Sequence, residues 1–131
     1  MKRRIITGIA TSTVAAALVV LGGATAAHAA VTEFCSGPFS GAGFGCFYST
    51  GDKFKVADNY ADGHRAVLEW ETDYGSSGEC HDANGAANGY VWCDYDLREN
   101  RLVWFRIVAR EGANGTDLSA TNWVLAYTSG R

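Results

Sequence analysis

The chain has 131 residues, of which 47% are hydrophobic and 19% charged, and this composition excludes an intrinsically disordered protein. A chain of this length accommodates one domain. Its 16 glycines favour a turn-rich β protein over a helical one.

The N-terminal segment has the features of a secretory signal peptide. A basic start at residues 2–4 precedes a mostly apolar stretch over residues 5–20, and residues 27–29 form an A-x-A cleavage site. Threonine and glycine residues dilute the apolar stretch below what a membrane-spanning helix requires. We therefore predict a signal peptide over residues 1–29 and one secreted domain over residues 30–131, with no membrane contact after cleavage.

Cleavage at this point changes the charge balance of the protein. The remaining chain carries 8 Lys and Arg residues against 14 Asp and Glu residues, a net charge of −6. Nucleic acids and anionic membranes are disfavoured as partners, because binding to phosphate groups requires clustered cations.

Four cysteines lie in the predicted mature domain: Cys35, Cys46, Cys80 and Cys93. An even number of cysteines in a short exported chain is typical of a disulfide framework. Three pairings are possible, and we favour Cys35–Cys46 with Cys80–Cys93 because each pair flanks a Gly- or Asn-rich segment that can fold back. Each closed loop is expected to stabilise the fold by about 3 kcal/mol in the loop-entropy model. A zinc site is disfavoured because the sequence has no C-x-x-C motif.

Alternation of apolar and polar residues predicts six or seven short strands after an irregular start. The predicted strands are residues 44–49, 53–58, 65–72, 90–97, 101–110 and 121–128; residues 73–78, 80–89 and 111–117 are predicted loops and turns. The strand over residues 101–110 is apolar on both faces, which places it at the centre of its sheet. The spacing of roughly ten residues indicates an all-β fold, a small antiparallel β-sandwich of about seven strands stapled by disulfides.

Outward-facing aromatic residues are the candidates for ligand binding. Trp92 and Trp104 are predicted on the face opposite the core residues of their strands, and Tyr74 and Tyr90 flank that region. Flat aromatic rings stack against sugar rings or anchor a protein partner. The alternative is that a second sheet covers this face, which would make both tryptophans part of the core.

No catalytic residue is predicted. The sequence has no G-x-S-x-G motif for an activated serine. A pair of carboxylates for glycoside cleavage could come from Glu69, Glu71, Asp94 and Asp96 if their strands oppose each other. Alternating acidic residues on a strand are more typical of plain solvent-facing positions.

No metal or cofactor is predicted either. Oxygen ligands for calcium could come from Asp58 with Asp62, or from Asp94 and Asp96 with Glu99. Neither spacing matches the calcium-binding loop motif D-x-[DN]-x-[DN]-G. Side chains such as those of Asp58 and Asp62 are more typical of turn capping.

Three segments of the sequence resemble small exported proteins that are common in actinobacteria. They are GDKFKVADNYADGHRAV (residues 51–67), DYDLRE (94–99) and VWFR (103–106). This likeness covers about half of the chain, and it implies a compact secreted β domain without supplying catalytic or binding residues. More loosely, the size, the disulfides and the aromatic strands resemble small secreted crystallin-like protease inhibitors.

These observations lead to one expected function and two alternatives. We predict a secreted, non-catalytic domain that binds an extracellular polysaccharide or protein. A protease inhibitor that presents residues 80–89 as an exposed loop held by Cys93 is the first alternative. A small hydrolase acting through acidic residues is the second.

Overall fold

Nine antiparallel β-strands and no helix make up the described part of the protein. The computed structural model describes residues 32–37, 41–86 and 88–129, so the predicted signal peptide lies outside the described residues. The strands are β1 (Glu33–Ser36), β2 (Phe44–Tyr48), β3 (Lys53–Ala57), β4 (Arg65–Thr72), β5 (Ser77–Asp82), β6 (Val91–Asp94), β7 (Leu102–Arg110), β8 (Asp117–Ala120) and β9 (Val124–Tyr127). The predicted all-β class is confirmed, with nine strands rather than about seven. Nowhere in these residues is there a helix suited to crossing a membrane.

The strands form two antiparallel sheets. Sheet A has the order β1-β2-β3-β6, and sheet B has the order β5-β4-β7, with β8 and β9 both pairing with the far side of β7. Strand β7 therefore lies inside sheet B, as its apolar residues on both faces predicted. The core lies between the inward faces of the two sheets.

The strands β1, β5 and β8 were not predicted from the sequence, and all three lie at sheet edges. Their sequences are polar, and in β8 no residue is fully buried. An edge strand hydrogen-bonds on one side only and needs little apolar surface, so it leaves a weak alternation in the sequence. Residues 77–82 and 117–120 were therefore wrongly assigned in part to loops and turns.

Strand β6 ends at Asp94 rather than continuing to residue 97 as predicted. The amide of Tyr95 donates to the carbonyl of Asp52 at 3.1 Å, and the amide of Leu97 donates to Oδ2 of the same residue at 2.9 Å. Asp52 has a φ of 52° in the turn between β2 and β3. This buried turn draws the chain away from the β3 ladder directly after Asp94.

Aromatic rings fill the centre of the core around Phe54, which has no exposed surface. Four rings surround it, with centroid distances of 4.7 Å to Phe47, 5.7 Å to Trp70, 5.7 Å to Tyr95 and 6.2 Å to Phe105. These rings come from both sheets and from the segment after β6. Packing of aromatic rings at such distances contributes beyond the area they bury.

Gly45 in β2 lets the two sheets approach each other closely. A Cβ atom at this position would lie 2.5 Å from Cδ1 of Ile107 and 3.0 Å from Cδ1 of Leu68, which belong to sheet B. It would also lie 2.9 Å from the carbonyl oxygen of Lys55. Any side chain here would force the sheets to shift, because packed interiors have no room to absorb added atoms.

Both predicted disulfides are confirmed. Cys35–Cys46 joins two residues that lie directly opposite each other on β1 and β2. Cys80–Cys93 joins β5 of sheet B to β6 of sheet A, so it fastens the two sheets together along one side of the sandwich. Two disulfides are compatible with an extracellular location.

A charged network centred on Arg110 covers part of the outer face of sheet B, while Leu102 and Leu125 elsewhere on that face are exposed. The buried guanidinium of Arg110 forms ion pairs with Glu69, with Glu79 at 2.9 Å and with Asp117 at 2.6 Å. Arg106 lies beside it and bonds Glu69 at 2.8 Å. Hydrogen bonds to Asp117 and Glu79 raise the pKa of Arg110 against the opposing effect of burial.

This network shields two valines that face away from the core. Val67 and Val108 lie side by side on β4 and β7, and both are fully buried. Arg110 pairs with Arg65 across the same strands, two positions beyond the valine pair, whereas Glu69 lies two positions before it. The Arg110 side chain must therefore cross the valine pair to reach Glu69, and its methylene groups shield both valines from solvent.

The network also predicts how stability depends on pH. Burial tends to raise the pKa of Glu79, but hydrogen bonds and charge from Arg110 and His81 outweigh it and lower the pKa below the ordinary 4.5. This contribution to stability is complete above about pH 4.5 and is lost as the pH falls through the lowered pKa. We expect a smaller fall in unfolding temperature between pH 7 and pH 3 for Glu79→Gln than for the wild-type protein.

The matched control is Glu71→Gln, which removes an exposed carboxylate from the same sheet. Within the described residues Glu71 forms no ion pair, so this variant should keep the wild-type pH dependence. Thermal unfolding followed by circular dichroism at both pH values measures the difference. Equal behaviour of Glu79→Gln and the wild type would contradict the assignment.

Candidate functional site

The outer face of sheet A carries a cluster of aromatic side chains. Because Gly45 and Phe47 of β2 point into the core, Phe44 and Tyr48 point outward with Cys46 between them. On β6 the same alternation directs Trp92 outward, and Tyr90 just before β6 lies on the same side. We call Phe44, Tyr48, Lys55, Tyr90 and Trp92 the aromatic face.

Lys55 of β3 occupies the centre of the aromatic face. Register places it directly opposite Cys46 on one side and Trp92 on the other. Its Nζ atom lies 4.9 Å from the ring centroids of Tyr48 and Tyr90 and 5.7 Å from that of Trp92. An ammonium at these distances is attracted to the ring faces, so it favours this arrangement of the three rings.

A polar chain runs along one side of the aromatic face. The Tyr48 hydroxyl donates a hydrogen bond to Oε1 of Glu33, and Lys55 Nζ donates to both the Tyr48 oxygen and, at 3.4 Å, Glu33. The hydrogen bond from Tyr48, together with Lys55, lowers the pKa of Glu33, and the hydrogen bond to Tyr48 raises the pKa of Lys55. At neutral pH the face therefore presents a carboxylate and an ammonium side by side.

Two rings of the aromatic face are half exposed to solvent. Trp92 is 53% exposed and Tyr90 is 51% exposed. Each of them leans on another ring: Trp92 on Tyr48 with centroids 5.4 Å apart, and Tyr90 on Phe44 with centroids 6.1 Å apart. Large apolar groups that stay exposed in fixed positions mark a surface suited to contact with a ligand.

The Cys35–Cys46 disulfide is part of this surface. Both residues face outward, yet Cys46 is fully buried under its neighbours. The two sulfurs and a carboxylate oxygen of Glu33 lie within 4.8 Å of one another, which is compact enough for a metal ion. Both sulfurs are bonded to each other, however, and only free thiolates ligate metals well. This cluster is structural.

The structure brings together two of the four predicted binding residues. Tyr90 and Trp92 lie on the aromatic face of sheet A. Trp104, on β7, points away from the core on the outer face of sheet B, opposite to Trp92. Tyr74 lies in the turn between β4 and β5, where its ring stacks against the guanidinium groups of Arg98 at 4.8 Å and Arg101 at 5.7 Å.

Four members of the site were not predicted from the sequence: Phe44, Tyr48, Lys55 and Glu33. The alternation along β2 and β3 already indicated which of their residues point outward. What it lacked was the pairing of β3 with β6, which is distant in sequence and places Lys55 beside Trp92. Neither tryptophan is covered by a second sheet, so the alternative that both belong to the core is wrong.

Of the four acidic residues considered for hydrolysis, Glu69 and Glu71 lie on β4 of sheet B, and Asp94 lies on β6 of sheet A. Glu69 lies on the outer face of sheet B, bonded to Arg106 and Arg110. Asp94 lies on the outer face of sheet A, 3.5 Å from Lys53. The two faces are separated by the core, so these carboxylates do not converge on one substrate.

The exposed loop considered for protease inhibition follows β5 and is bordered by the Cys80–Cys93 disulfide. Within it, the side-chain amide of Asn88 donates hydrogen bonds to the carbonyl oxygens of Asn84 and Gly85. The described part of this loop thus folds back on itself.

The aromatic face therefore combines exposed rings, ring–ring contacts and hydrogen-bonding groups on one surface. Comparison of the chain with protein-family models, with curated proteins and with solved structures yields no match. The geometry of the aromatic face is therefore the basis for assigning a function to this protein.

Proposed function

We propose that this protein is an exported, non-catalytic binding module that holds a polysaccharide chain against the aromatic face. The observation that carries the proposal is the pair of half-exposed rings, Trp92 and Tyr90, held around Lys55 beside a carboxylate. The C–H faces of a sugar pack on aromatic rings, and its hydroxyl groups bond charged side chains. Lys55 supplies a donor between the rings, and Glu33 supplies an acceptor beside them.

The size of the aromatic face favours a sugar chain over a protein partner. A fully buried Trp or Tyr side chain covers about 150–250 Å², so the exposed halves of Trp92 and Tyr90 offer roughly 200 Å² together. A stable protein interface covers about 800 Å² on each partner. Two exposed rings match a few sugar units much better than they match such an interface.

The rigidity of the rings supports the same conclusion. Each exposed ring is fixed by a neighbouring ring and by the Lys55 ammonium. Binding therefore does not have to order these side chains, which would otherwise cost about 0.5–1.5 kcal/mol for each one immobilised. A weak stacking contact is more effective on a surface that is already ordered.

Charge indicates which sugars fit. The outer face of sheet A carries Lys53 and Lys55 against Glu33 and Asp94, and these groups form ion pairs with one another. The face is thus locally neutral, while residues 30–131 carry a net charge of −6. A neutral polysaccharide is therefore favoured over a polyanion, which the whole domain would repel.

Substitution of Trp92 tests the proposal. We expect Trp92→Ala to weaken retention on a neutral polysaccharide at least about 10-fold, because an aromatic anchor dominates a small binding surface. Affinity electrophoresis or pull-down with a panel of cellulose, chitin, starch and mixed-linkage glucan measures retention. Alginate serves as the polyanionic comparison, and we expect no retention on it.

The matched control is Trp123→Ala, which removes a tryptophan that is 43% exposed and stacks on Arg106 of sheet B. It should fold and bind as the wild type does. Near-ultraviolet circular dichroism verifies the fold of both variants. Equal losses in both variants, or no retention of the wild type on any neutral polysaccharide in the panel, would contradict the proposal.

A further inference from the structure

A pocket of about 460 Å³ opens at one end of the sandwich. Three connecting segments meet there: the β3–β4 loop, the start of the β5–β6 loop, and Gly112 between β7 and β8. Two aspartates from different segments line it, Asp58 directly after β3 and Asp82 at the end of β5. Loop ends of β-sandwiches are common positions for ligand sites.

The two aspartates are close together and buried. Asp58 is 5% exposed and Asp82 is 1% exposed. The backbone amide of Asp58 donates to Oδ2 of Asp82 at 2.7 Å, which fixes the two residues side by side. Asp62, weighed above with Asp58 as a source of calcium ligands, lies on an exposed turn where its Oδ1 accepts from the amide of His64 at 3.0 Å, as expected for turn capping.

One of the four carboxylate oxygens of this aspartate pair accepts no hydrogen bond. Both oxygens of Asp82 accept from backbone amides, those of Asp58 and Asn84. Oδ1 of Asp58 accepts from the amide of Tyr60 at 2.9 Å, whereas its buried Oδ2 has no hydrogen-bond partner. A buried carboxylate oxygen without a partner is costly unless a ligand compensates it.

Among the described residues, no lysine, arginine or histidine forms an ion pair with either of the two carboxylates. Across residues 32–37, 41–86 and 88–129, the ion pairs of lysine, arginine and histidine involve other acidic groups. Arg65 and His64 also line the pocket, but His64 is directed to Glu111 at 2.9 Å and Arg65 pairs with neither aspartate. Two buried negative charges side by side therefore call for a cation from solution.

We propose that a calcium ion binds at the floor of this pocket, ligated by the carboxylates of Asp58 and Asp82. Calcium takes 6–8 oxygen ligands in irregular geometry, so backbone carbonyls of the loops and water from the open pocket complete the shell. Magnesium demands a regular octahedron, and zinc prefers nitrogen and sulfur ligands that this pair does not supply. The ion links the β3–β4 loop to the end of β5.

Calcium titration of the chelator-treated protein tests the site. We expect saturable binding by isothermal titration calorimetry with a Kd of about 10⁻⁴–10⁻³ M, the range of extracellular calcium modules. The unfolding temperature should rise with calcium and much less with magnesium at the same concentration. Asp58→Asn should bind calcium at least about 10-fold more weakly, because the amide keeps the Oδ1 contact to Tyr60 but loses the charge.

The matched control is Asp62→Asn, the same substitution in the same loop on a residue outside the pocket; it should bind calcium as the wild type does. Absence of saturable binding by the wild type up to about 10 mM calcium would overturn the proposal, since such a site would lie outside the extracellular range. Undiminished binding by Asp58→Asn would overturn it too. If Asp58→Asn fails to fold, the calcium-specific rise in the wild-type unfolding temperature decides.

Discussion

Phe54→Ala is expected to lower the free energy of unfolding by about 3–5 kcal/mol, the range for loss of a buried aromatic ring from a core. Phe54 has no exposed surface and contacts four rings that come from both sheets. Those rings cannot all move inward to fill the space, because three are carried by paired strands and Tyr95 is held by the hydrogen bond from its amide to Asp52. The variant therefore keeps a cavity at the centre of the sandwich.

Urea denaturation followed by tryptophan fluorescence measures this loss. Tyr90→Ala is the control, because it removes an aromatic ring that is half exposed, where substitutions usually change stability by no more than about 0.5 kcal/mol. Since domains of this size are stable by only about 5–15 kcal/mol, the Phe54 variant should unfold at much lower urea concentration. A similar denaturation midpoint for the two variants would show that Phe54 is not central to the core.

Removal of the Cys80–Cys93 bridge by a double alanine substitution is expected to destabilise the protein by about 3 kcal/mol in the loop-entropy model. The cysteines are 13 positions apart, so the bridge closes a short loop that the unfolded chain would otherwise explore freely. In the folded state the bridge also ties sheet A to sheet B. Its loss should expose the edges of β5 and β6, which faster amide hydrogen exchange in both strands would reveal.

The Cys35–Cys46 bridge provides the comparison. Its cysteines are 11 positions apart, so the loop-entropy model assigns it nearly the same stabilisation, about 3 kcal/mol. It joins two strands that are already paired in one sheet, so its removal should leave exchange in β5 and β6 unchanged. The expectation fails if the two double variants show the same exchange pattern, because the sheets would then be held together by other contacts.

Strands that bury more apolar surface were easier to predict from the sequence. The strand Leu102–Arg110 lies inside its sheet and is apolar on both faces, so its position followed from its sequence. The edge strands Ser77–Asp82 and Asp117–Ala120 bury little and were missed, because their stability comes from backbone pairing with a neighbour that the sequence does not identify. Both disulfide pairings were predictable, since each closes a short glycine- or asparagine-containing segment.

The candidate site was predictable in part for the same reason. Alternation correctly directed Trp92 and Trp104 away from the core, but it carries no information about which sheet a strand joins. Strand β6 belongs to sheet A and β7 to sheet B, so the two tryptophans lie on opposite sides of the molecule. The grouping of Lys55 with Trp92 depends on a strand pairing between residues 37 positions apart, which no local pattern encodes.

Gly45 permits the short distance between the two sheets, and it also determines which residues of β2 face outward on the aromatic face. A slip of β2 by one residue would send Phe44, Cys46 and Tyr48 inward and Phe47 out to solvent. In that alignment a bulky residue would occupy the place where only a hydrogen atom fits between Ile107 and Leu68. A steric clash in the core therefore destabilises the misaligned pairing, and the outward-facing rings keep one arrangement. Surface substitutions can thus alter what the face recognises without disturbing how it is aligned.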